Sequence, residues 1–114
     1  MNRDRVYLQH ILDAINRIES YVAVGHEVFL ASPHWQDAVI RQLEVIGEAT
    51  KRLSEELRLN YGDVPWRRIA GLRDVLIHDY MGVDIQAVWE ITQRDLPALK
   101  VEIERILSEL AEDT

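Results

Sequence analysis

Apolar residues recur along this chain at steps of three and four, with charged and polar positions between them. Leu8, Ile11, Ile15, Ile18 and Val22 form one stripe, which predicts a helix from about Asp4 to Val24 that stops at Gly25. A second helix opens at Ser32-Pro33, where Ser suits the cap and Pro the first helical position. Val39, Leu43, Ile46, Thr50, Leu53 and Leu57 carry it on, which predicts one long helix ending near Asn60-Tyr61-Gly62. A third stretch runs from about Pro65-Trp66 to about Tyr80, with Gly71 inside it as a point of division. The fourth opens with Asp84 as cap and continues through Ile85, Val88, Thr92, Leu96, Leu99, Ile103, Ile106 and Leu110. Pro97 predicts a kink or restart near Asp95, with Asp95 as its cap.

No two-residue alternation competes with these stripes. Each stripe is one-sided, so the helices must cover one another. The fold class is therefore all-α, an antiparallel bundle of four to five helices. The two longest stripes also suit a helical dimer. The length of 114 residues fits one domain, 1–114, with enough chain to bury a core.

Composition narrows the chemistry. There are no cysteines, which excludes disulfides and thiolate metal sites and fits a cytoplasmic location. No segment approaches the ~20 apolar residues of a membrane span, and the first ten residues lack a signal-peptide core. The net charge is −7, so any nucleic acid must be met by a local basic patch or delivered by a partner.

One constellation has chemical potential. Arg73, His78 and Tyr80 read Arg-x4-His-x-Tyr. Arg can grip a phosphate through two donors, and His can move a proton near neutral pH. Together they suit cleavage of RNA by attack of a 2′-hydroxyl on the adjacent phosphorus, with Arg stabilising the transition state. Such a reaction needs no metal and no cofactor. The spacing alone is unspecific, and a bland alternative stands beside it: a surface cation, a helix-end histidine and a packed tyrosine. On a regular helix, positions 73 and 78 lie roughly 140° apart. Either the helix ends before His78, or two chains contribute to one site. Asp74 is four residues before His78, so it either fixes the His tautomer or forms an ordinary exposed pair.

Arg67, Arg68 and Arg73 form the basic cluster near this motif, beside Trp66. They read equally as an RNA-binding patch or as a solvated face, whereas Trp66 reads as core rather than as a base-stacking platform. Glu44 and Glu48 lie off the apolar stripe of the second helix and read first as a solvated acidic face, and second as residues that meet the motif across a dimer and orient Arg73 or His78. His10, His26 and His34 lack metal-ligand spacing and read as surface residues, so no metal site is expected.

The run Val64-Pro-Trp-Arg-Arg-Ile-Ala-Gly-Leu-Arg-Asp-Val-Leu-Ile-His-Asp-Tyr80 resembles the signature of HepT-like HEPN proteins. Ile46-Gly47-Glu48-Ala49, Val83-Asp84, Val88-Trp89 and Asp95-Leu96-Pro97 are similar to the flanking motifs of that family, so the resemblance covers almost the entire chain. It implies a HEPN-like helical bundle that forms a homodimer. It further implies the toxin of a toxin–antitoxin pair, a metal-independent endoribonuclease with Arg73 and His78 as catalytic pair. The implied antitoxin partner is a minimal nucleotidyltransferase, which in some members transfers AMP to the motif tyrosine, here Tyr80. The resemblance also moves Glu48 towards a supporting role. Asp74 departs from the pattern, which often has Asn there; a carboxylate cannot donate as an amide does and adds negative charge near a phosphate. The alternative function is a non-catalytic helical module that serves as partner and AMP acceptor of the nucleotidyltransferase; a purely structural dimer is a third.

Overall fold

The computed structural model describes the backbone of residues 2–78 and 84–112, and their side chains apart from those of Asn2 and 73–78. Among the described residues there is no strand. The elements are α1 (Asn2–Val22), α2 (His26–Ala31), α3 (Pro33–Lys51), α4 (Glu55–Asn60), α5 (Trp66–His78), α6 (Ile85–Glu90), a π-helical turn (Ile91–Asp95) and α7 (Leu96–Glu112). The bundle is elongated, 46 × 27 × 20 Å. No described helix is long and apolar enough to cross a membrane.

The stripes become the core. Leu8, Ile11, Ile15, Val39, Leu43, Ile46, Ile103 and Ile106 are all fully buried. Antiparallel packing follows from contacts at helix ends. Tyr21 near the end of α1 meets Trp35 near the start of α3, with ring centroids 6.0 Å apart. Asp4 at the other end of α1 bonds Ser54, just past α3. Lys100 of α7 reaches Glu19 of α1 at 2.8 Å, so α7 also runs against α1.

Three boundaries differ from the sequence expectation. The second helix is not continuous to Asn60. It stops at Lys51, and Ser54 caps α4 by accepting from the Leu57 amide at 3.1 Å. Asp4 holds the break open: its carboxylate accepts from the Ser54 amide at 2.7 Å and the Ser54 hydroxyl at 2.6 Å. A further helix, α2, follows Gly25, whose φ of 98° ends α1 in a conformation that favours glycine. Gly71 does not divide α5, which runs unbroken to His78; the expected continuation to Tyr80 lies outside the described residues.

Pro97 acts as its chemistry requires, by a different route from a capped restart. Lacking an amide proton, it cannot bond the carbonyl four residues back, and the ladder widens into the π turn Ile91–Asp95. The backbone stays helical into α7, so Asp95 is no cap. Its carboxylate instead accepts from Arg68 at 3.1 Å and Arg94 at 3.3 Å.

Burial pushes the Asp4 carboxyl up, but the positive amino terminus and, above all, the two hydrogen bonds from Ser54 pull it down, and the group lies below its ordinary value of 3.8. A group depressed in the folded state stabilises above its unfolded pKa and loses that contribution as pH falls. Asp4→Ala is therefore expected to cost about 2 kcal/mol near neutrality, measured by urea unfolding. The gap to wild type should shrink as pH drops below 3.8. A gap independent of pH would show that the carboxylate charge is not what matters.

Candidate functional site

The motif helix α5 is fixed on both sides by its own residues. Trp66 is 6% exposed and donates its indole N–H to the Tyr61 carbonyl at 3.0 Å. It is a core residue, and its buried ring is not offered for base stacking. Tyr61 in turn donates to Glu109 of α7 at 3.0 Å and sits under the Arg105 guanidinium. Ile69 is buried, and Arg68 ties the helix to the π turn through Asp95. That pair is exposed and contributes at most about 1 kcal/mol, so it orients the helix more than it stabilises it.

Arg73, Asp74 and His78 lie on α5, with His78 its last residue. The helix therefore does not end before His78. Positions 73 and 78 are roughly 140° apart around the axis, as a regular helix dictates. Their side chains, and Tyr80 altogether, lie outside the described residues.

Arg67 and Arg68 do not form one patch. They differ by about 100° around α5 and line different grooves. Arg68 borders an apolar groove of about 370 Å³ with Leu72, Arg94, Asp95 and Leu99. Arg67 borders a wider one of about 600 Å³ with Lys51, Glu55 and Arg58. The other cations of the second groove come from α3 and α4, and no local spacing announces that they share a groove with Arg67.

Glu44 and Glu48 face α1, in a groove of about 370 Å³ shared with Tyr7, His10, Arg41 and Arg52. The Glu48 carboxylate is 3.4 Å from Arg52 Nε. The Tyr7 hydroxyl and Glu48 together hold the Arg52 guanidinium above its usual value. His10 and His34 are exposed, as expected. His26 is exposed yet occupied: it stacks on Trp89 at 4.9 Å and shares a 2.8 Å hydrogen bond with Gln86. Together with Phe29, whose ring lies 5.4 Å from that of Trp89, it fastens α6, the helix that leaves the motif segment. Among the described residues no three His, Asp or Glu side chains are grouped to hold a metal ion.

Comparison with known proteins gives a single answer. The family described as "Ribonuclease HepT-like" matches residues 11–106. A "Gamma-glutamylcyclotransferase and putative RNase" of Methanocaldococcus jannaschii is 46% identical over 96% of this chain, which spans only 50% of that larger protein. A "Putative RNase" of Caldanaerobacter subterraneus is 41% identical over 94% of this chain and 96% of its own length. A "Probable ribonuclease HepT" of Thermococcus cleftensis is 41% identical over 88% and 92% respectively. No solved structure matches. An all-helical bundle carrying the Arg-x4-His motif on α5, matched over nearly its full length, belongs to the ribonuclease HepT-like family.

Proposed function

We propose that this chain is a metal-independent endoribonuclease, the toxin of a HEPN/minimal nucleotidyltransferase toxin–antitoxin pair, working in the cytoplasm as a homodimer. Arg73 grips the scissile phosphate, and His78 moves the proton between the 2′-hydroxyl, the leaving 5′-oxygen and solvent. The 2′-oxygen attacks phosphorus, the P–O5′ bond breaks, and a 2′,3′-cyclic phosphate and a 5′-hydroxyl result. Asp74 and Glu48 are supporting residues, and Tyr80 is the acceptor of AMP from the antitoxin. An AMP there would place phosphate charge near Arg73 and oppose the RNA.

Family membership over residues 11–106 is the observation that carries this reading. The continuity of α5 through His78 supports a shared site: with the two positions about 140° apart on one helix, a second chain supplies the missing partner. The test is cleavage of a defined RNA by purified protein in excess chelator. Cyclic-phosphate ends are expected. Activity that appears only when a divalent ion is restored would contradict the mechanism.

A further inference from the structure

A chain of net charge −7 that handles RNA needs a place where the local charge is reversed. The groove beside α5 is such a place. Lys51, Arg58 and Arg67 line it, with Glu55 as the one acid among its described lining residues. Elsewhere on these helices Arg68 pairs with Asp95, and Arg105 with Glu102, Glu109 and Asp63. Arg58 and Arg67 are in none of the ion pairs among the described residues. The Arg58 Nε atom is buried without a hydrogen-bond partner. That leaves a phosphate to be met by the outer nitrogens of the fork, where the bonds are charge-assisted.

The position of the groove on α5 matters as much as its charge. Arg67, Gly71, Asp74 and His78 recur at four-, three- and four-residue steps. Positions 67 and 78 therefore fall within about 20° of each other around the axis, roughly 16 Å apart along it. Gly71 lies between them, and a Cβ added there would meet nothing within 4 Å. The helix backbone is thus open to close approach at Gly71.

We infer that the groove lined by Lys51, Arg58 and Arg67 holds the phosphodiester backbone of single-stranded RNA and leads it along α5 to His78. The inference rests on the ribonuclease reading and adds two cations, Lys51 and Arg58, to substrate binding. Arg68, on the other side of α5, is not part of the track.

The experiment uses a fluorescent, fully 2′-O-methylated RNA oligonucleotide, which cannot be cleaved because its attacking hydroxyl is blocked. Anisotropy titrations at several salt concentrations compare wild type, the Arg58→Ala/Arg67→Ala double variant, the matching Lys/Lys variant, and Arg17→Ala on exposed α1 as a control. Circular dichroism checks that each is folded. The double Ala variant is expected to bind about tenfold more weakly, with a log–log salt slope smaller by about 1.4, the release expected for two single-strand phosphate contacts. The Lys/Lys variant should retain most of the affinity, and Arg17→Ala should match wild type. Binding by the double Ala variant within about twofold of wild type would overturn the inference, as would an equal loss in Arg17→Ala, or no binding by wild type. The two readings fail separately. Groove-dependent binding without cleavage of unmodified RNA refutes the ribonuclease and leaves the track. Cleavage with groove-independent binding refutes the track alone.

Discussion

Replacing His78 by Ala is expected to lower the rate of RNA cleavage by about 10²–10⁴-fold, the contribution typical of a positioned acid–base group. The fold should be untouched, because His78 is the last residue of α5. Arg73→Ala should fall as far, and Arg73→Lys should not restore the rate, since an ammonium cannot reproduce the two-donor grip. The helix geometry adds a corollary. If each site draws Arg73 from one chain and His78 from its partner, co-purified dimers of Arg73→Ala and His78→Ala chains contain one complete site and regain cleavage. The measurement is single-turnover cleavage of a labelled RNA, with thermal unfolding recorded on the same samples. Unchanged cleavage in both single variants would remove these residues from the mechanism.

The second large effect is on stability. Phe29 is fully buried, and its ring lies against Trp89 of α6. Phe29→Ala is expected to destabilise by about 3–5 kcal/mol, a large share of the ~5–15 kcal/mol that holds a typical domain together. The loss combines the transfer free energy of the ring with the cavity it leaves. Cleavage should fall too, because α6 is the first described element after the motif and its fastening to α2 would be gone. Urea unfolding of the variant measures the first effect. A loss below about 1 kcal/mol would mean that α2 is not a structural part of the bundle.

Phe29 also shows where sequence reasoning reached its limit. The six residues of α2 are too few to display a period, and exposed Val28 and Leu30 flank the one buried ring. The long stripes, by contrast, were fully legible: Leu8 to Ile18, Val39 to Leu57 and Val88 to Ile106 are buried as their spacing demands. That same periodicity concealed the break after Lys51. Thr50, Leu53 and Leu57 stay in phase across it, so the core pattern continues while the backbone does not. The signal was present in Ser54-Glu55-Glu56, a capping residue followed by two acids in the first turn. Pro97 correctly marked a disturbance near Asp95, but composition could not choose between a restart and a widened turn. At the site, the motif on α5 was readable from family resemblance, whereas its spacing alone was unspecific. The basic surface was not readable. Arg67 and Arg68 are neighbours in sequence and diverge in space, whereas Arg58 and Arg67, on different helices, line one groove.

The central claim is that this chain cuts RNA with Arg73 and His78 and without a metal. The most direct test incubates wild type and His78→Ala with one defined RNA in excess chelator and identifies the new ends. The account predicts 2′,3′-cyclic phosphate and 5′-hydroxyl ends from wild type and intact RNA from His78→Ala. Equal cleavage by both proteins, or 3′-hydroxyl and 5′-phosphate ends from wild type, would contradict it.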